Sequence, residues 1–328
     1  MKTRNACTQP SDGVSVTFVR LNGSSETLRY PKDTTQLDLS DQRLTSVTLS
    51  KGWTNLRTLN LQNNRSLRSL TLPEGLTSLE RLRLTSNRSL RSLTLPEGLT
   101  SLESLELSYN YNLESLTLPE DMTSLESLDL SYNHLRSLTL PEDMTSLESL
   151  DLSYNHLRSL MLPEGLTSLE ELELSVNSLR SLTLPEDMTN LEELELSYNH
   201  LRSLTLPEGL TNLEELDLSC NILRSLTLPE GLTSLEELDL SHSYLESLTL
   251  PEGLASLRTL NLSWSLTETL QFLVVIAFKR LFGLELEDNP IRALRVPRGF
   301  DLSQLDYFFY GFFKPKVIYY DPADGPFD

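Results

Sequence analysis

Carboxylates and aromatic rings recur along this chain at a spacing that gives them a common chemistry. Between the leucines of a repeated L-x-L segment stand Asp38, Asn60, Arg83, Glu106, Asp129, Asp151, Glu173, Glu195, Asp217, Asp239, Asn261 and Glu285. From Glu106 to Asp239 every copy carries a carboxylate. Two places earlier a second series turns acidic at Glu171, Glu193, Glu215 and Glu237. Three places after the first series come Tyr109, Tyr132, Tyr154, Val176, Tyr198, Cys220, His242 and Trp264. Stacked carboxylates attract cations, and tyrosine and tryptophan faces bind Lys and Arg through cation–π contacts. The pattern therefore points to a strip that grips a basic protein, a basic peptide or a multivalent cation. Two plainer readings stand beside it. Duplication copies a solvated acidic strand without purpose, and a tyrosine series can simply shield what lies beneath.

Other chemistry is less well supplied. His134 and His156 hold equivalent places near Asp129 and Asp151, with His200 further on, but Ser178 interrupts them. They read as exposed turn residues more readily than as metal ligands. Paired hydroxyls (Ser69 and Thr71, Ser92 and Thr94, Ser115 and Thr117, Ser137 and Thr139, Ser181 and Thr183) form an array suited to ordering water. Met161 breaks that array, and Arg68, Arg91, Arg136, Arg158, Arg180, Arg202 and Arg224 flank it, expected to pair with nearby glutamates. No Ser-His-Asp arrangement, phosphate loop or nucleotide fingerprint is present, so neither catalysis nor a cofactor is expected.

The elements that place these side chains follow from an internal repeat. A 22-residue unit begins at Leu125, Leu147, Leu169, Leu191, Leu213 and Leu235. Units of 23 residues begin at Leu56, Leu79 and Leu102, with the extra residue beside an asparagine. A weaker unit starts at Thr34, and degenerate ones at Leu257 and Leu281, giving twelve over residues 34–302. Leucines two apart point the same way from an extended segment, so Leu128 and Leu130 enter one core. Asn64, Asn87, Asn110, Asn133, Asn155, Asn177, Asn199, Asn221 and Asn289 can satisfy backbone groups of neighbouring coils from inside the turn. Gln42, Ser243 and Ser265 replace the amide near the ends.

Each unit holds LxxLxLxxNxL, and this resembles the leucine-rich-repeat family. LRSLTL repeats the LxxLxL spacing ten residues after LESLDL, as in short bacterial repeats with a nested half-repeat or surface repeat proteins carrying LxxLxLP. The resemblance implies a β-rich solenoid, a right-handed superhelix of parallel coils with a concave parallel sheet and short extended segments opposite. It implies a non-catalytic protein-binding scaffold. On that reading Glu106, Asp129, Asp151, Glu173, Glu195, Asp217, Asp239, Tyr109, Tyr132, Tyr154, Tyr198 and Trp264 line the binding face. The alternative is a structural or adhesive surface module without a specific pocket. Some bacterial members carry a ligase domain with a catalytic cysteine, but no cysteine follows Cys220.

At the ends, Asn22-Gly23 between apolar runs signals a hairpin, so residues 1–33 are expected to cap the array. Residues 266–280 are expected to form a short helix. Residues 303–328, rich in Phe and Tyr, are expected to be a second cap or a docking patch. The net charge of -20 argues against a nucleic-acid partner. Cys7 and Cys220, the only cysteines, make no disulfide framework. Neither a signal peptide nor a run long enough to span a bilayer is visible, which suggests a cytoplasmic location or a non-classical secretion route.

Overall fold

A computed structural model describes residues 13–251, 253–265, 272–274, 283–285, 289, 293–297, 306–308 and 316–320. The chain divides into two compact units, Met1–Leu150 and Asp151–Asp328.

The first unit opens on β1 (Val14–Arg20) and β2 (Ser25–Tyr30), an antiparallel hairpin around Gly23, whose φ is 82°. The main strands are β3 (Gln36–Asp38), β5 (Thr58–Asn60), β7 (Arg81–Arg83), β9 (Ser104–Glu106) and β11 (Ser127–Asp129). They pair in parallel with like residues opposite, Leu82 beside Leu59 and Leu105. The reverse side of the coils carries β4 (Leu44–Leu49), β6 (Ser69–Thr71), β8 (Ser92–Thr94) and β10 (Ser115–Thr117). β1 runs antiparallel to β4. That contact buries Val14, Val16 and Phe18, and Trp53 Nε1 donates to the Ser15 carbonyl at 3.3 Å. Apolar groups at this end of the leucine core are thereby kept from water. β12 (Ser149–Asp151) lies where the sequence passes to the second unit.

The second unit repeats the design with β13 (Glu171–Glu173), β14 (Glu193–Glu195), β15 (Glu215–Asp217), β17 (Glu237–Asp239), β19 (Thr259–Asn261), β21 (Gly283–Glu285) and β23 (Asp306–Phe308). Behind them run β16 (Ser225–Thr227), β18 (Ser247–Thr249), β20 (Phe272–Val274), β22 (Ala293–Pro297) and β24 (Lys316–Tyr320). Among the described residues there is no helix.

Three differences from expectation appear. Residues 181–183 and 203–205 follow the same sequence pattern as β6 but form no strand ladder. The helix expected over 266–280 is contradicted at Phe272–Val274, which pair in parallel with β22; the rest lies outside the described residues. Parallel pairing also continues into the aromatic tail, β23 beside β21 and β24 beside β22. Apolar β-branched and aromatic residues (Phe-Leu-Val, Val-Ile-Tyr-Tyr) favour extended backbone there.

One coil shows what closes the core. Leu169, Leu172, Leu174, Leu179, Leu182, Leu184 and Met188 are all buried, each worth about 1.5–3 kcal/mol of transfer free energy. Turning the chain would strand backbone groups, and the asparagines prevent it. Asn199 Nδ2 donates to the carbonyls of Leu196 at 3.1 Å and Leu174 at 2.9 Å, while its Oδ1 accepts from Leu179 N–H at 3.0 Å. Each amide thus ties its own coil to the preceding one. The coils stack closely elsewhere too: a Cβ on Gly231 would lie 2.2 Å from the Glu208 carbonyl.

Candidate functional site

The outward positions of the main strands form columns, one residue per coil, about 4.8 Å apart. In the second unit the register sets Glu173 beside Glu195, Glu195 beside Asp217 and Asp217 beside Asp239. Glu171, Glu193, Glu215 and Glu237 form a parallel column two residues away. Like charges directly opposite on neighbouring strands repel. The effect is legible in the protonation equilibria. Burial, then Asp151, Glu195, Glu171 and Glu193, push the Glu173 carboxyl up to about 7. Burial and Asp217 raise Glu195, against the Ser175 hydroxyl that donates to it at 3.2 Å. Burial, with Glu193 and Glu237, raises Glu215.

The carboxylates of the first column are half-buried while Glu171, Glu193, Glu215 and Glu237 are exposed, and the aspartates of the first column also serve the backbone. Asp129 and Asp151 accept from the N–H and hydroxyl of Ser131 and Ser153, the residues two places on. Asp217 and Asp239 accept from Ser219 and Ser241 N–H at 2.7 Å. The D-L-S sequence is the signal for these local bonds. Glu173 is followed by the same serine, but the Ser175 hydroxyl donates to Glu195 of the next coil.

In the first unit the charges on and just before these strands are compensated. Glu106 pairs with Arg83 at 2.9 Å and accepts from Gln62 Nε2 at 3.0 Å. Arg81 pairs with Glu103 at 3.6 Å, and Arg57 with Glu80. Glu106 and Asp129 occupy adjacent strands, so they stand at the margin of this ion-paired patch.

Beside the carboxylates runs the aromatic column, with a property that sequence reasoning misses. Tyr109, Tyr132, Tyr154, Val176, Tyr198, Cys220, His242 and Trp264 all have φ between 53° and 58°. The left-handed conformation costs an L-residue about 1–2 kcal/mol and is a true outlier for a β-branched valine. Its cause is architectural. The turn points the following Asn or Ser inward, and the N–H of Tyr198 carries the ladder on to the Ser219 carbonyl at 3.1 Å. At the amino-terminal end the same column holds Asp41, Asn63 and Ser86, also at positive φ. Those small polar types, Asp and Asn above all, suit the conformation; tyrosine and tryptophan do not, and that change of residue type is the sequence signal.

The rings stand out into solvent, with Tyr154 45%, Tyr198 61% and Trp264 52% exposed. Two pairs of rings on adjacent coils stack. Tyr109 lies 4.5 Å from Tyr132 and His242 5.9 Å from Trp264, each pair within 9° of parallel. Tyr198 is hydrogen-bonded to Cys220, which raises its phenol above the ordinary range. No group of three or more His, Cys, Asp or Glu suited to a metal ion occurs among the described residues. Among those residues, too, no helix is long and apolar enough to cross a membrane.

Comparison with known proteins agrees with this geometry. The BspA type leucine-rich repeat region matches residues 39–158 and 152–266, in six copies. No curated protein sequence matches the chain. Among solved structures, the leucine-rich effector protein YopM from Yersinia pestis is 28% identical, with a TM-score of 0.61, over 79% of this chain and 68% of YopM. An internalin from Listeria monocytogenes is 22% identical, with a TM-score of 0.52, over 85% of this chain and 89% of its own; that likeness is one of fold. Leucine-rich-repeat scaffolds mediate protein–protein recognition through the surfaces their stacked coils present. With its repeat, its amide ladder and the match over most of its length, this chain belongs to the BspA type leucine-rich repeat family.

Proposed function

We propose that the chain is a non-catalytic recognition scaffold whose acidic, tyrosine-lined strip binds a basic protein or peptide. In the second unit the strip comprises Asp151, Glu173, Glu195, Asp217 and Asp239 with Tyr154, Tyr198 and Trp264. In the first unit Glu106, Asp129, Tyr109 and Tyr132 offer a smaller version. The observation that carries the reading is the run β13, β14 and β15, where Glu-Leu-Glu, Glu-Leu-Glu and Glu-Leu-Asp stack in register with no Lys or Arg among the strand residues. Folding gains nothing from that repulsion. A basic partner relieves it, and exposed rings on strained backbone add contact area that ordering costs little. The near-identity of the central coils favours a structural or adhesive module as the second reading.

The test compares the full chain with a Glu173→Gln, Glu193→Gln, Glu195→Gln variant for binding to an oligolysine peptide. The association rate of the parent should fall steeply with salt, and the variant should lose most of that rate. Equal binding by both proteins would leave the structural reading in possession.

A further inference from the structure

The aromatic column of the second unit is interrupted where a ring is replaced by a short aliphatic side chain. Val176 stands between Tyr154 on the coil before and Tyr198 on the coil after, and all three have φ between 53° and 57°. Two coil spacings separate the flanking tyrosines by about 9.6 Å. A flat group laid over Val176 would therefore sit about 4.8 Å from the backbone position of each tyrosine, a spacing that suits the roughly 6 Å range over which a cation is held by an aromatic face.

The sides of the gap are acidic. Three residues before each member of this trio stand Asp151, Glu173 and Glu195, and Ser175 donates to Glu195 at 3.2 Å. Glu171 and Glu193 lie on the same strands as Glu173 and Glu195. The strand residues of β13 and β14 include no cation. A guest here must be positively charged, and the slot between two ring positions asks that it be planar. Arginine meets both conditions: its guanidinium stacks on rings and forks onto carboxylates, whereas the lysine ammonium is a strongly hydrated point charge.

We infer that the gap at Val176, walled by Tyr154 and Tyr198 and edged by Asp151, Glu173 and Glu195, seats one arginine side chain of the partner. This rests on the acidic-strip reading and sharpens it from a basic partner to one that presents arginine. Glu173 holds its proton near neutral pH in the free protein, and an arriving guanidinium releases it, so affinity rises with pH through about 7.

The experiment uses the full chain with oligoarginine and oligolysine peptides of equal length, followed by calorimetry. The parent should prefer arginine by about tenfold, the scale that cation–π contacts with two partly exposed rings supply. Val176→Tyr fills the gap with a side chain that Tyr154 and Tyr198 already carry at the same φ, so it should fold. It should erase the arginine preference and leave lysine binding unchanged. Val176→Thr, which keeps the gap, should retain the preference. Equal affinity for the two peptides in the parent, or a preference that survives Val176→Tyr, overturns the arginine seat while leaving the acidic strip standing. If neither peptide binds, the strip falls and the seat with it.

Discussion

The two units use one backbone design and dress it with opposite electrostatics. On the first, arginines meet glutamates across neighbouring coils, Arg57, Arg81 and Arg83 pairing with Glu80, Glu103 and Glu106. On the second, glutamate faces glutamate over three successive strands, and the Glu173 carboxyl among them is pushed up to about 7. Leucine registers and turn angles differ little between them. The outward positions are therefore not dictated by what folds the coil. A folded repeat tolerates either pattern because each opposed pair at about 5 Å costs under about 1 kcal/mol in water. Repulsion concentrated in one unit therefore asks for an explanation outside folding.

The amide ladder also differs, and the largest expected effect lies there. Asn199 makes four bonds to backbone groups of its own and the preceding coil, one of them through its Oδ1. Asn133 in the first unit donates to the carbonyls of Leu107 and Leu130, but its buried Oδ1 has no partner. Each buried backbone group left stranded costs about 1–3 kcal/mol. Asn199→Ala should therefore lower unfolding stability by at least about 3 kcal/mol, and Asn133→Ala by about 1 kcal/mol less. Urea titrations of both variants decide it. Equal losses would mean that the ladder is uniform and that the two units differ only at their surfaces.

That ladder is legible in the residues alone, because an asparagine recurring at one place in a leucine repeat has few other reasons to persist inside a turn. The parallel sheet and its register are legible for the same reason: repetition of L-x-L fixes which residues stack. The electrostatic division between the units is only half legible. The carboxylate column reads straight off the sequence, but the pairing of Glu106 depends on Arg83 lying one coil away, and its degree of burial depends on the neighbours' side chains. The left-handed turn beneath the tyrosines escapes a sequence reading because tyrosine and valine ordinarily avoid it; tertiary stacking overrides the local preference. Extension at Phe272–Val274 escapes it too, since a short apolar run has no decisive period and passes equally well for helix.

The second expectation concerns pH. Glu173 titrates at about 7 in the fold against an ordinary glutamate value of 4.5, so the folded state binds the extra proton between those values. Its contribution to stability is therefore fully present below about 4.5, declines as pH rises and is gone above about 7. Solvent screening of a half-buried carboxylate limits the effect to about 1 kcal/mol. The melting temperature should fall from pH 5 to pH 8, and Glu173→Gln, which needs no proton, should flatten that fall. Glu106→Gln in the compensated unit should leave the slope as it is. A parent protein that gains stability over that window would show that the carboxylates of β13 and β14 are not in conflict.

The smallest effect separates the units by sign. Glu106 lies between Asp129 and the Arg83 guanidinium that it contacts at 2.9 Å, whereas Glu195 lies between Asp217 and Glu173 with no cation in either place. Neutralising Glu106 removes an attraction between side chains 42% and 29% exposed, a kind of pair worth about 0.2–1 kcal/mol. Glu106→Gln should therefore destabilise slightly. Neutralising Glu195 removes two repulsions, and a glutamine oxygen there still accepts from Ser175. Glu195→Gln should stabilise by a similar amount. Salt provides the independent readout, because screening weakens attraction and repulsion alike. Raising ionic strength from about 0.01 to about 0.15 M shortens the screening length from about 30 to about 8 Å. Across that range the parent should gain melting temperature, Glu195→Gln should gain less and Glu106→Gln should gain more, since the attraction that salt erodes is already gone from it. Identical salt slopes in all three proteins would place the carboxylates of both units on one footing, and the contrast between a compensated face and an open one would dissolve.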